Sequence, residues 1–166
     1  RNLHRAAQAI VEQHQGQIPV DFDPITALPG IGRTTAGGIL SSAFNLPFAI
    51  LDGNVKRVLA RLVALDKPPA KALNLLWNLS EQLLDRHNPR DFNQAMMDLG
   101  ATLCTRRQPD CLQCPWQRHC RAYNLNVQSE IPMTETKAPI PHKHIGVAVI
   151  WNDQDQILID RRKQEG

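Results

Sequence analysis

Residues 28–58 read LPGIGRTTAGGILSSAFNLPFAILDGNVKRV, and this stretch decides the fold. It opens with a Gly-x-Gly turn, LPGIGR, between a short helix predicted over residues 24–28 and a longer one, rich in small residues, over residues 34–44. Such a turn permits positive φ and presents several amide N–H groups together at the start of the second helix. With the helix dipole, these amides can bind a phosphate without reading base sequence. A plain Pro-Gly connector is the competing interpretation.

The same stretch holds an acidic residue, Asp52, at the start of the next predicted helix. The apolar face of this helix is formed by Val55, Val58, Leu59, Leu62 and Val63. This spacing is typical of a helix N-cap, which is the structural interpretation of Asp52. A chemical role is compatible with it, because the dipole and the backbone donors keep such a carboxylate ionised. An ionised carboxylate is suited to stabilise a cationic transition state.

The composition is that of a globular protein: 166 residues, 42% of them hydrophobic and 21% charged, with a net charge of +3. Clusters of Arg leave room for an anionic partner, but this charge alone does not establish nucleic-acid binding. No apolar run approaches the roughly 20 residues of a membrane span, and no signal-peptide pattern opens the chain. We therefore expect a cytosolic protein that does not contact membranes.

Three further helices are predicted from apolar spacing. The first covers residues 1–14, ends at Gly16 and buries Leu3, Ala7, Ile10 and Val11. The second covers residues 71–85 and buries Leu73, Leu76, Leu79 and Leu83, with Trp77 and Leu84 joining the core. The third covers residues 91–103, is capped by Asp91 and buries Phe92, Met96 and Leu99. Because the first helix has no cap at its start and no initiator Met precedes it, we expect the chain to be an internal piece of a longer protein.

The four cysteines lie in one short loop with the spacing C-x6-C-x2-C-x5-C. They are Cys104, Cys111, Cys114 and Cys120. Two disulfides would close only a tiny loop and are unexpected in a cytosolic protein. Four clustered thiolates instead suit a soft metal centre, either tetrahedral zinc or an iron-sulfur cluster.

Basic residues interleave with these cysteines, as Arg106, Arg107, Arg118 and Arg121. They either keep a small loop soluble or, if a metal fixes the loop, bind phosphates. Beyond the loop, the composition becomes polar and proline-rich over residues 124–142, which predicts a linker. Residues 145–151 and 157–160 then read as two strands about a turn at residues 152–156.

Three sequence patterns resemble one superfamily, and two of them narrow the resemblance to one family. The pattern apolar-Pro-Gly-apolar-Gly-Arg-x-Thr-Ala resembles the helix-hairpin-helix of the DNA glycosylase superfamily that includes endonuclease III. The strings LDGNVKRV from Leu51 and FNQAMMDLG from Phe92 are similar to those of the adenine-specific mismatch glycosylases, the MutY family. The resemblance covers nearly the whole chain.

It implies a mainly α fold in four parts. Residues 1–46 would be later helices of the helical barrel with the helix-hairpin-helix, and residues 47–123 a helical iron-sulfur domain. Residues 124–142 would be the linker, and residues 143–166 the first strands of a truncated Nudix-like domain. The four cysteines would hold a [4Fe-4S] cluster, since their spacing is similar to that of the family's iron-sulfur loop.

The resemblance also implies an activity. Family members flip adenine mispaired with 8-oxoguanine or guanine out of the duplex and hydrolyse its N-glycosidic bond. An Asp that stabilises the oxocarbenium-like sugar matches Asp52. The Glu that protonates the base belongs to N-terminal helices that this chain lacks, and neither Glu12 nor Glu81 matches its context. We therefore expect the chain alone to be inactive.

Position 34 separates the close relatives. In the endonuclease III type, the residue two places after the second hairpin glycine is a Lys that attacks the sugar as a Schiff-base nucleophile. Here it is Thr34, which cannot form an imine, and Asp-Gly-Asn replaces the Asp-Thr-His of the lyase group. Both differences favour a monofunctional glycosylase.

The implied partner is double-stranded DNA containing adenine mispairs, bound by a monomer. The residues predicted to contact it are Leu28, Pro29, Gly30, Ile31, Gly32, Arg33 and Thr34 in the turn, and Arg106 and Arg107 in the cysteine loop. Two alternatives stay open: an endonuclease III-like glycosylase/lyase, and a non-catalytic helix-hairpin-helix module with structural zinc.

Overall fold

The computed structural model describes residues 1–134, 142 and 144–159, and the chain divides into two units, Arg1–Glu135 and Thr136–Gly166. The described part of the first unit is helical, which confirms the mainly α class. Its α-helices are α1 Asn2–His14, α2 Phe22–Thr26, α3 Arg33–Phe44, α4 Gly53–Leu62, α5 Leu73–Leu83, α6 Pro89–Asp98 and α7 Arg121–Asn124. A π-helical turn, Leu99–Leu103, continues α6, and short 3₁₀ turns cover Pro69–Ala72 and Gln117–His119. No helix in these described residues is long and apolar enough to cross a membrane.

Helices α1 to α3 enclose an apolar cluster. Its buried members are Ala6, Ile25, Leu28, Ala36 and Leu40. The predicted inner face of α1 is wrong, because Leu3 and Val11 are 85% and 66% exposed. The helix faces inward along a neighbouring stripe that holds Ala6 and Ile10, since Asn2 at its start packs against the hairpin turn at Gly30.

A second cluster forms around α4, as the spacing predicts. Val55, Val58 and Leu59 are buried, and Leu62 and Val63 pack against the same cluster. The inward positions of Phe92, Met96 and Leu99 are also confirmed.

Helix α5 departs from its prediction at both ends. Leu73 and Leu83 are exposed, whereas Leu76 is fully buried and Ser80 faces the core one turn later. The spacing predicted one buried set of four leucines, but only its middle members, Leu76 and Leu79, pack into the core. Trp77 does pack against the core and Leu84 is buried, as predicted.

The predicted cap of α6 is also wrong. The helix begins at Pro89, so Asp91 lies within its first turn. Proline is favoured at the first helical position because its fixed φ suits a helix and its missing N–H is not needed there. Just before α6, the amides of His87 and Asn88 donate to the carboxylate of Asp85 and lower its pKa.

Among the residues of the second unit that the structure describes, the predicted turn forms but regular strands do not. Within its described residues, pairing is limited to an antiparallel bridge between Trp151 and Ile157, and Asn152 Oδ1 accepts the amides of Gln154 and Gln156. The described apolar side chains around the turn stay exposed. Two strands without a buried face are only marginally stable. Position 160 of the predicted second strand lies outside the described residues.

Candidate functional site

The Gly-x-Gly turn connects α2 to α3 in a helix-hairpin-helix arrangement. Gly30 has a φ of 83°, whereas Gly32 has an extended φ of −94° and precedes the first residue of α3. Within the described chain, no side chain caps α3, so its first amides stay available to a ligand. Gly30 and Gly32 are exposed, but the Leu28 side chain is buried in the α1–α3 cluster and contributes packing.

Arg33, predicted to contact DNA, is engaged within the protein. Its Nη2 forms an ion pair with the Glu81 carboxylate of α5, and its Cζ lies 3.9 Å from the centroid of the Trp77 ring. Arg33 and Glu81 are each about half exposed. The guanidinium therefore holds α3 against α5, and phosphate would have to compete with a carboxylate for it.

Asp52 caps α4, as predicted. Its Oδ1 accepts the amide of Val55 at 2.8 Å, and its side chain is half-buried. Among the described residues, Oδ2 has no hydrogen-bond partner. The carboxylate is thus fixed through one oxygen and can present the other to a ligand.

Arg57 connects the start of α4 to the cysteine loop. Its Nη2 donates to Asn54 Oδ1 at 2.8 Å and to the Gly100 carbonyl, and its Nε donates to the Cys104 carbonyl at 2.7 Å. The two chain segments approach closely, since a Cβ on Gly100 would lie 2.6 Å from the Asn54 Cβ. Sequence reasoning assigned no role to Arg57, because its partners Gly100 and Cys104 lie more than forty positions away.

All four cysteines line one cavity of about 30 Å³. The π-helical turn ends next to Cys104, and Cys120 precedes α7. The thiols are free, and no group of three metal-ligating side chains converges as a preformed site in the described part of the chain. Burial raises the pKa of the Cys111 and Cys114 thiols, and the neighbouring cysteines raise them further.

The chemistry of the cavity fits a metal centre. Its donor set consists of four thiols, which as thiolates are soft metal ligands. Gln128 also lines the cavity, and its Oε1 is the one buried side-chain oxygen or nitrogen without a hydrogen-bond partner in the described chain. This oxygen accepts hydrogen bonds, so its missing partner is a donor such as water, and the fit to a metal rests on the four thiols alone.

Arg61 forms the inner wall of this cavity and is 2% exposed. Its Nη1 lies 3.3 Å from Cys104 Sγ, and the Cys120 thiol donates to the Arg61 carbonyl at 3.5 Å. The arginine side chains that interleave with the cysteines in the sequence differ from Arg61 in their exposure to solvent. Arg106, Arg107, Arg118 and Arg121 are all exposed.

Comparison with curated proteins gives consistent names, although no family model matches the chain. The chain is 36% identical over 167 residues to an adenine DNA glycosylase of Buchnera aphidicola, covering 99% of this chain and 48% of that protein. It is 47% identical over 126 residues to an adenine DNA glycosylase of Mus musculus, covering 74% of this chain and 24% of that protein. The chain therefore spans half or less of the length of these relatives.

Solved structures share the fold. A thermostable thymine-DNA glycosylase superposes with a TM-score of 0.68 and 29% identity, covering 75% of this chain and 58% of that one. A trapped endonuclease III-DNA covalent intermediate superposes with a TM-score of 0.63 and 26% identity, covering 76% of this chain and 59% of that one. The helical unit thus has the endonuclease III-like glycosylase fold.

Proposed function

The chain belongs to the adenine DNA glycosylase family, and from that premise we propose that the protein carrying it releases adenine mispaired with 8-oxoguanine or guanine in DNA. The reaction is hydrolysis of the N-glycosidic bond after the nucleotide leaves the stack. One observation carries this proposal: the carboxylate of Asp52 is fixed at the start of α4 through a single oxygen.

Asp52 has the charge and the placement that the chemistry needs. As the base departs, positive charge develops on the sugar, and a preorganised carboxylate stabilises it. A general acid must protonate the leaving adenine. Glu81 is not available for this, since it pairs with Arg33. We propose that a Glu outside these 166 residues supplies the proton and that the chain alone releases almost no adenine.

The hairpin and the cysteine loop would bind the DNA backbone. The free amides at the start of α3 and the exposed Arg106 and Arg107 offer phosphate contacts that carry no sequence information. Since Thr34 cannot form an imine, the glycosylase would be monofunctional.

The cysteine cavity would hold a [4Fe-4S] cluster. Cys104, Cys111, Cys114 and Cys120 are the ligands in this proposal, and the bound cluster would supply metal-thiolate bonds that fix the Arg-rich loop. Residues 1–46 and 47–123 would then form the barrel helices and the iron-sulfur domain. Residues 124–142 would form the linker, and residues 143–166 the start of a Nudix-like domain.

The activity is tested by single-turnover release of adenine from an adenine:8-oxoguanine duplex. The intact parent protein, its Asp52→Asn variant and the 166-residue chain are compared. We expect Asp52→Asn to lose most of the rate with little change in stability, because an amide oxygen keeps the cap but lacks the charge. Full activity of Asp52→Asn would reduce Asp52 to a helix cap.

The metal is tested separately on protein purified without air. We expect iron and sulfide in near-equal amounts, which Cys111→Ser should lose along with the order of the loop. The neighbouring exposed Leu112→Ala is the matched control. A colourless, natively folded protein with one bound zinc would refute the cluster.

A further inference from the structure

Residues 46–51 link α3 to α4 in a non-helical segment, here called the connector, that ends at Asp52. Ile50 and Leu51 are buried, with 2% and 1% exposure. Carbonyl groups in such a segment have no partners from a helix or strand ladder. Because an unpaired buried carbonyl is costly, they must find other donors.

Three side chains from three helices supply these donors. Asn93 of α6 donates through Nδ2 to the Phe48 carbonyl at 2.9 Å, and Ser80 of α5 donates through Oγ to the Ile50 carbonyl at 2.7 Å. Thr34 of α3 donates through Oγ1 to the Leu51 carbonyl at 3.2 Å.

Two of the donors are polar groups placed inside the core. Ser80 and Asn93 are 5% and 2% exposed, and Asn93 Nδ2 also donates to the buried Ser41 Oγ at 2.9 Å. Burying polar side chains is unfavourable unless they are hydrogen-bonded. For both residues, a connector carbonyl is a bonding partner.

Between the three hydrogen-bonded carbonyls lies that of Ala49, which is confined by packing. A Cβ on Gly37 of α3 would collide with the carbonyl oxygen of Ala49. Helix α3 therefore lies directly on the connector, and the carbonyls of residues 48–51 are all held. The peptide that leads into Asp52 has little freedom to rotate.

We infer that Thr34, Ser80 and Asn93 are positioning residues that set the place of the Asp52 carboxylate through the connector. The inference rests on the proposed function, in which that carboxylate stabilises the sugar cation. Displacement of such a group by about 1 Å can reduce a rate on the order of 100-fold. DNA affinity should change much less, since the connector contributes no proposed phosphate contact.

The first test measures placement directly. In the intact parent protein, hydrogen exchange of the Val55 amide reports the bond to Asp52 Oδ1. Ser80→Ala should speed this exchange by roughly tenfold, a shift equivalent to losing one net hydrogen bond. Ser42→Ala on the exposed surface of α3 is the matched control and should leave it unchanged. Unchanged Val55 exchange in Ser80→Ala would overturn the inference.

The second test is a double-mutant cycle on single-turnover adenine release. Ser80→Ala should lower the rate by roughly 10- to 100-fold with duplex Kd within about twofold, and it should cause no further loss in the Asp52→Asn background. An equal loss in both backgrounds, or no loss, would overturn the inference. If Asp52→Asn keeps full activity, the proposed function fails, while Val55 exchange still decides the positioning role. If Ser80→Ala does not fold, Thr34→Val, at a half-buried site, replaces it. Because Thr34 lies in the predicted phosphate-binding turn, its rates are then compared at saturating protein and no requirement is placed on the duplex Kd.

Discussion

The guanidinium of Arg61 lies against the sulfur of Cys104, with Nη1 3.3 Å from Sγ, at a position that is 2% exposed. Its other bonds go to the carbonyls of Ile131 at 2.7 Å, Thr105 at 2.6 Å and Arg106 at 3.1 Å. Within the described chain, none of its partners is a carboxylate. Thiolates of a loaded metal site would therefore supply the negative charge that this buried cation lacks.

Replacement of Arg61 should destabilise the protein and its metal site together. Arg61→Met would leave the buried carbonyl of Ile131 unpaired, so we expect a loss of at least about 1–3 kcal/mol, since the part-buried carbonyls of Thr105 and Arg106 also lose a donor. Urea unfolding and iron content measure the two effects. The exposed Arg118→Met is the control. Unchanged stability and iron content in Arg61→Met would show that these bonds contribute little.

Two adjacent glycines of α3 should respond oppositely to alanine. Gly37→Ala places a Cβ against the Ala49 carbonyl, which is backbone and cannot move aside cheaply, so we expect a loss of about 1–3 kcal/mol. A Cβ on Gly38 meets open space, and Gly38→Ala should gain up to about 1 kcal/mol from reduced unfolded-state entropy. Thermal unfolding of both variants checks this contrast, and equal effects would contradict the close packing of α3 on the connector.

The exposed loop arginines should contribute to DNA affinity through charge alone. Replacing Arg106 and Arg107 with Ala should weaken binding to matched and mismatched duplexes alike, and should reduce the slope of log K against log salt by about 0.9 for each phosphate that is no longer neutralised. Arg33→Ala should change the slope less, because its guanidinium already pairs with Glu81. Fluorescence anisotropy over a salt series measures the slopes. An unchanged slope in the folded Arg106 and Arg107 variant would exclude these residues as phosphate ligands.

Local features were predictable from the sequence. The cap at Asp52, the glycine turn and the clustering of the cysteines each depend on residues close together in the chain. Spacing also grouped Leu3 with Val11, and Leu73 with Leu83, on helix faces. It could not show which apolar stripe would meet a neighbouring helix, because that is decided by packing against distant elements.

The long-range polar contacts were not predictable for the same reason. Arg61 and Ser80 read as ordinary helix residues, and their partners lie in other parts of the chain. The family strings indicate where the proposed site lies. They do not show that the carbonyls of the connector are held by side chains from three helices.

Position 34 lies where the amine of an introduced Lys should add imine formation to the glycosylase reaction. Its Oγ1 donates to the carbonyl of Leu51, the residue before Asp52, so the side chain at position 34 is next to the proposed catalytic group. In Thr34→Lys, we expect the amine to attack C1′ of the abasic sugar and form an imine with loss of water, which borohydride reduces to a stable adduct. The variant should also release adenine more slowly, since the bond to Leu51 is lost.

Thr35→Lys, at the exposed neighbouring position, is the control and should give no adduct. Gel mobility after borohydride treatment measures trapping. An adduct formed by the unsubstituted Thr34 protein would instead favour the endonuclease III-like lyase, and absence of an adduct in a folded, DNA-binding Thr34→Lys variant would place position 34 out of reach of the sugar.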